Sequence, residues 1–187
     1  GFNLLGNPYT YEIYKGGAFP NTGTGDPHYV LATGFYKLNS AGGWEAGTDS
    51  ETAIAPNEGI LIQATTGGTI TIDNTTNKTR YNNEYLQFTV ANSEYEDVAY
   101  AWFDKGAGLN KINHRNAEIP MLYINQEGQD YAIATMSDDT KTFNLNFKAM
   151  TTGKYTLSYK ANGEFKYIHV IDRLTGEDVD MLLEGEY

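Results

Sequence analysis

The chain contains no cysteine. Disulfides, thiolate catalysis and cysteine-ligated zinc are excluded by that absence, whereas an extracellular life is not. Positive charge is also scarce. Thirteen Lys and Arg residues against 24 Asp and Glu leave a net charge of −11. No basic stripe exists to neutralise phosphates, so nucleic acid is not an expected partner, and anionic membrane surfaces are disfavoured for the same reason. No apolar run approaches the roughly 20 residues that a membrane-crossing helix needs, so membrane insertion is not expected. Helical periodicity is missing too: no segment keeps apolar residues at i, i+3, i+4 and i+7 for three turns. Nucleophile and phosphate motifs such as Gly-x-Ser-x-Gly, Ser-x-x-Lys and the P-loop do not occur.

Strand signals are present in quantity. Aromatics make up 13% of the 187 residues, and 15 residues are Tyr, a composition suited to strands and sheet faces. Thr142–Asp180 carries the clearest pattern. Phe143, Leu145 and Phe147 alternate with Asn144, Asn146 and Lys148; Tyr155, Leu157 and Tyr159 alternate with Thr156, Ser158 and Lys160. Such period-2 alternation marks strands with one buried face. Asn162-Gly163 predicts a type I′ hairpin, because both central residues of that turn need positive φ. A Thr-Gly turn at Thr175-Gly176 follows. Short strands separated by turn residues predict an all-β chain of two antiparallel β-sandwich or jelly-roll-like domains.

The two halves differ in texture. Residues 1–78 form a predicted Gly/Thr/Asn-rich β domain, with strands at Phe2–Leu5, Tyr29–Leu38 and Ile60–Ile62. Thr66-Gly67-Gly68 is expected to turn the last of these back into Thr69–Ile72. The linker is placed within Asp73–Glu84, which is rich in Asn and Thr and almost free of apolar residues. Residues 79–187 form the second predicted domain, with strands at Tyr85–Val90, Asp97–Phe103, Met121–Asn125 and Tyr131–Met136, the last pair joined through Gln126-Glu127-Gly128. Asp104–Pro120 is a long connection, and loops of that length usually have a function or are mobile.

Candidate sites are few. His28, His114 and His169 show no metal-ligand spacing, and His169, mid-strand, is expected to face solvent. Glu94, Glu96 and Asp97 read as solvated turn residues, as do Asp138 and Asp139. No cofactor is expected. A structural Ca²⁺ is the one cation with conceivable ligands, in the oxygen-rich loops Asn21–Asp26, Asp49–Glu51 and Asp73–Asn77, none of which matches an EF-hand. Exposed rings that stack on sugars offer a glycan-binding alternative: Trp44, Tyr29, Tyr36 and Tyr9 are the candidates, Trp44 first because it follows a Gly-Gly turn. Trp102, between Ala101 and Phe103, reads as core.

Gly1-Phe2-Asn3-Leu4-Leu5-Gly6-Asn7-Pro8-Tyr9 resembles a "GWN-hydrophobic-hydrophobic-GNPY" segment of secreted and outer-surface proteins of the Bacteroidetes, with Phe2 in place of Trp. Pro56-Asn57-Glu58-Gly59-Ile60 matches a later turn in them. Gly106–Lys111, Gly128–Ala132, Tyr155–Ser158 and above all Tyr167–Asp180 are similar to their C-terminal β modules. The resemblance implies an accessory module of an adhesin-like, type IX-secreted protein, extracellular or at the cell surface, with no catalytic residues. It also implies that the chain is a piece of a longer protein, truncated before its closing strands. The expected function is therefore a non-catalytic interaction module whose partner is a protein or surface polymer. Its predicted contact edge is Val170, Ile171, Val179, Met181 and Leu183. Carbohydrate binding is the alternative, and a glycan hydrolase comes last.

Overall fold

The computed structural model describes residues 1–19, 31–74, 84–104 and 106–187, and strands dominate it. The first half provides β1 (Phe2–Gly6), β2 (Ile13–Tyr14), the single turn α1 (Lys15–Ala18), β3 (Phe35–Leu38), β4 (Trp44–Gly47), β5 (Ala53–Ile54) and β6 (Gly59–Gln63). Four of these strands form an antiparallel sheet in the order β1-β6-β3-β4, and β2 pairs separately with β5. The hairpin expected between Ile60–Ile62 and Thr69–Ile72 does not form. Both edges of β6 are already occupied, by β1 (Leu4↔Leu61) and by β3 (Tyr36↔Leu61). Ile70 and Ile72 pack instead against a core of Ile13, Phe19, Leu31, Phe35, Ile54, Ile60 and Ile62.

The Asn7 side chain joins β1 to this core. It is buried, and Nδ2 lies within hydrogen-bond distance of the carbonyls of Tyr11 (2.8 Å), Ile54 (3.0 Å) and Ala55 (3.1 Å), while Oδ1 accepts from the Tyr9 amide (2.9 Å). The Asn within the Gly-Asn-Pro-Tyr segment thus satisfies backbone groups that would otherwise be buried without partners. Asn7→Ala is expected to cost about 1–3 kcal/mol in urea denaturation, the range for leaving buried polar groups unpaired; an unchanged midpoint would show that water replaces these bonds.

The second half adds β7 (Glu84–Ala91), β8 (Glu96–Phe103), β9 (Leu109–Asn110), β10 (Met121–Gln126), β11 (Gln129–Met136), β12 (Asn144–Lys148) and β13 (Thr156–Asn162). They form one seven-stranded sheet in the order β12-β10-β11-β8-β7-β13, with β9 on β11. The β10–β11 hairpin turns at Glu127 (φ 52°) and Gly128 (φ 83°), as expected. One pair departs from the antiparallel expectation: β11 runs parallel to β8, Ile133 opposite Tyr100. A parallel pair needs a crossover, and the long connection from residue 104 to residue 120 is part of it.

The strands of Thr142–Asp180 exist, but not as a ladder. β12 and β13 lie at opposite ends of the sheet. The Asn162-Gly163 hairpin is absent even though Gly163 has φ 115°. β13 pairs instead with β7 along its whole length, from Thr156↔Ala91 to Asn162↔Tyr85. That register sets half-buried Leu157 and Tyr159 beside Leu86, Phe88 and Val90 around one core. The sheet curls so that its ends approach: Phe88 meets Phe143 at 5.9 Å, and Phe147 meets Tyr155 at 5.0 Å between ring centroids. Its concave side holds Leu86, Phe88, Val90, Leu122, Ile124, Ala134 and Met136.

A hairpin of β14 (His169–Ile171) and β15 (Asp178–Asp180), followed by α2 (Met181–Glu184), packs Val170, Val179 and Met181 against the same core. Beyond α2, Tyr187 exchanges backbone bonds with Leu157 on the outer edge of β13 (2.6 and 2.8 Å). On its other face β8 presents Tyr100 and Trp102 to a further core that includes Ala32, Tyr36 and Ala46 of the first half and Leu109, Ala132 and Ile133 of the second. β8 is therefore buried on both faces. The expected linker falls largely on residues 75–83, outside those described. Among the described residues no helix is long and apolar enough to cross a membrane.

Candidate functional site

The packing of β8 between two cores places a carboxylate where the sequence pattern had suggested a solvated turn. Asp97 is in phase with Ala99 and Ala101, on the face of β8 turned toward the concave core. Its Oδ2 accepts from the Leu122 amide (2.7 Å) and forms an ion pair with Lys111 Nζ. The His114 Nε2 atom lies 3.4 Å from the same oxygen. The side chains of Asp97, Lys111 and His114 are only 2%, 1% and 3% exposed. Lys111 and His114 both come from the crossover, whose length is thereby explained: it reaches back across β8 to neutralise a buried charge. A buried carboxylate without such partners would cost several kcal/mol.

The protonation pattern follows from these contacts. Burial pushes the Asp97 carboxyl up, but the Lys111 ammonium and the His114 donor outweigh it and hold the group below the ordinary carboxylate value. Burial pushes Lys111 down, against the attraction of Asp97. His114 Nδ1 accepts from the Trp44 backbone amide (3.0 Å), so it carries no proton and the neutral ring is protonated on Nε2. That Nε2 is buried and is turned toward Asp97 Oδ2, 3.4 Å away.

A small pocket opens beside this network. One wall is the turn between β3 and β4, built on Asn39: Oδ1 accepts from the Ala41 and Gly43 amides (3.0 and 2.8 Å), and Nδ2 donates to Glu45 Oε1 (2.8 Å). Gly42, at φ 86°, offers its carbonyl to the Arg115 amide (2.9 Å), docking the crossover onto the turn. The cavity is about 200 Å³, lined by Asn39, Trp44, Glu45, Glu96, Tyr100 and His114 together with Asp97. Burial pushes the Tyr100 hydroxyl up to about 12, so it stays neutral across the accessible pH range.

The aromatic candidates do not converge. Trp44 is half-buried and lines the pocket. Tyr36 is not an exposed ring: it is fully buried in the shared core, where its hydroxyl donates to the Asn110 carbonyl (2.7 Å) and burial raises its ionisation well above normal. Tyr9 is half-buried, stacked on Tyr11 at 5.3 Å, with its hydroxyl donating to the Ile72 carbonyl (3.0 Å). Tyr29 lies outside the described residues, as do His28 and the loop Asn21–Asp26. Trp102 is buried, stacked on Tyr85 at 5.0 Å. Asp49, a candidate calcium ligand, is held by Lys15 Nζ (2.7 Å) and the Gly34 amide (2.8 Å). Among the described residues no group of three His, Cys, Asp or Glu is arranged to hold a metal ion.

The predicted contact edge divides into two sets. β14 and β15 pair with each other, so the edge offered for missing closing strands is joined within the chain, Val170 opposite Val179. Those two are half-buried and Met181 is fully buried, because alternation along the hairpin and the single turn of α2 point all three into the core. Ile171 and Leu183 do face solvent, at 65% and 81% exposure, joined by Tyr167 at 71% and Leu174 at 95%. His169 is not simply solvated. Its Nδ1 bonds Asp178 Oδ1 (2.7 Å), Asp180 lies 3.6 Å from Nε2, and Tyr167 stacks on the ring at 4.0 Å.

These features define an all-β protein with a curled sheet, a braced polar pocket and an apolar hairpin tip. No family model, curated protein or solved structure matches the chain.

Proposed function

We propose that this chain is a non-catalytic interaction module of a larger, extracellular or cell-surface bacterial protein, of the adhesin-like kind that its sequence resembles. In this reading the two halves are two β-sandwich-like units sharing a core. The observation that carries the reading is the concentration of exposed apolar side chains on one small appendage: Tyr167, Ile171 and Leu174 on and around the β14–β15 hairpin, and Leu182 and Leu183 on α2. Exposed apolar residues scattered singly need no explanation, whereas a group of them on one protrusion is typical of an interaction surface. A protein or an amphipathic surface polymer fits it, and the net negative charge argues against polyanions.

The triple substitution Ile171→Ser, Leu174→Ser, Leu183→Ser tests this reading. Surface changes of this kind are expected to alter stability by no more than about 0.5 kcal/mol each. Binding of the immobilised chain to fractionated surface proteins and polymers is expected to fall sharply. Equal retention by wild type and variant would overturn the reading. A second reading, glycan recognition, is favoured by one observation, the position of Trp44 in the wall of a polar pocket.

A further inference from the structure

We infer that the free edge of β12 takes up an extended acidic segment of a partner protein as an added strand. The inference goes beyond the apolar hairpin and does not depend on it.

The overall acidity of the chain conceals one cation-rich stretch. Residues 141–163 hold four lysines and no Asp or Glu, so in the rest of the chain nine Lys and Arg stand against all 24 Asp and Glu, a net −15. All four lysines are exposed. Lys141 follows Asp138 and Asp139, which offset it. Lys148 and Lys154 have no ion-pair partner among the described residues. Lys148 ends β12, and Lys154 shortly precedes β13. The Phe147 and Tyr155 rings, 5.0 Å apart, bring the two lysines to one place, because each lysine is next in sequence to one of these rings.

The backbone beside them is free to pair. β12 is the last strand of its sheet and is joined to β10 alone. Among the described residues no backbone bond is made on its other side. A free edge of this kind presents a row of unpaired N–H and C=O groups. The outer edge of β13, in the same cation-rich stretch, shows what such an edge accepts. There Tyr187 exchanges backbone bonds with Leu157, and Glu186 bridges Ser158 in antiparallel sense. The fold thus already lays one short acidic segment on a neighbouring edge.

The chemistry of the edge selects its occupant. Only an extended polypeptide satisfies a row of backbone donors and acceptors, which sets aside nucleic acid and acidic polysaccharide. A second copy of β12 would bring lysine toward lysine, and like charges on facing strands destabilise the pair. The charge that turns a like strand away favours one of opposite sign. Alternation then gives the pattern. Leu145 packs toward the core, Phe147 shares its side of β12, and Lys148 stands on the other. A strand with apolar residues on the Phe147 side and Asp or Glu on the Lys148 side matches both. Phe147 and Met150, 47% and 69% exposed, leave apolar surface for it. The strongly acidic remainder of the chain keeps a long polyanion from spreading beyond the edge.

NMR titration of the whole chain with a capped, alternating Glu-Val heptapeptide tests this. Saturable shifts are expected at the amides of residues 144–148, with an affinity that falls as salt is raised. The double variant Lys148→Glu, Lys154→Glu is expected to fold as wild type, since both side chains are exposed, and to weaken binding about tenfold. The same peptide N-methylated on alternate backbone nitrogens keeps its charge but cannot pair, and is expected not to bind. Equal binding of the N-methylated peptide, or tighter binding of a heparin hexasaccharide, would reduce the edge to a charged patch and overturn the added strand. Equal binding of a Lys-Val heptapeptide would overturn the selection by charge. Concentration-dependent shifts at residues 144–148 without any peptide would make the occupant a second copy instead. No shift at millimolar peptide would overturn the inference outright, and would leave the hairpin reading untouched.

Discussion

Lys111→Met is expected to destabilise this protein by about 3–5 kcal/mol, the cost of removing one partner of a buried ion pair. The reason is asymmetric. Methionine fits the space, but Asp97 remains under 5% exposed with only the Leu122 amide as a strong donor. Asp97→Asn is expected to cost a comparable amount from the other side, leaving the Lys111 ammonium buried against a neutral amide. The double variant is expected to lose much less than the sum of the two, because neither charge is then stranded. Urea denaturation of the three variants measures this directly, and losses below about 1 kcal/mol for both single variants would show that water reaches the pair.

Acid sensitivity gives a second readout of the same residue. The Asp97 carboxyl is held below its ordinary value in the folded protein. Its contribution to stability is therefore fully present above the unfolded value of about 3.9 and is lost as pH falls through the lowered folded value. Asp97→Asn has no such titration. The stability gap between wild type and this variant is expected to be constant near neutrality and to shrink below about pH 4. A gap that widens in acid would contradict the assignment.

Gly34→Ala is expected to be the most damaging glycine substitution, at about 2–5 kcal/mol by summing the backbone and overpacking costs. Gly34 has φ +80°, and a Cβ there would lie 2.6 Å from the Gly47 carbonyl oxygen and would overlap Ile133 Cδ1. The contact matters because Ile133 belongs to β11 in the second half, whereas Gly34 leads into β3 in the first. The substitution therefore tests whether the halves are held at close range through their shared core. Gly128→Ala is the control. Its φ is +83°, but nothing lies within 4 Å of the added atom, so only the backbone cost of about 1–2 kcal/mol applies. Ile133→Val in the Gly34→Ala background is expected to restore part of the loss. Equal effects of the two alanines in thermal denaturation would mean that the halves separate easily.

Much of the local architecture was readable in advance. β7, β8, β10 and β11 stand where strands were expected, and the Glu127-Gly128 turn closes its hairpin. Part of the candidate site was within reach too. Asp97 shares its phase with Ala99 and Ala101, a signal that it points inward, but its neighbours Glu94 and Glu96 make the local composition read as a turn. His114 carried no such signal. Its role depends on a crossover folding back over β8, and no spacing in the chain encodes that contact. Tyr36 and Trp44 are alike as residues, and their fates differ because one lies inside the shared core and the other at its rim.

By itself the sequence determined the class of this protein, the position of most strands, the absence of cysteine and the net negative charge. Those properties are set by composition and by alternation over a few neighbouring residues. Tertiary structure decided which strands pair. Asn162-Gly163 favours a hairpin, yet β13 pairs with β7 some 70 residues earlier, which sets half-buried Leu157 and Tyr159 against the core. It also decided that Val170, Val179 and Met181 face the core while Ile171 and Leu183 face solvent. Only the folded chain brings Asp97, Lys111 and His114 together, since the attraction that holds them is strong only after burial has removed the water between them.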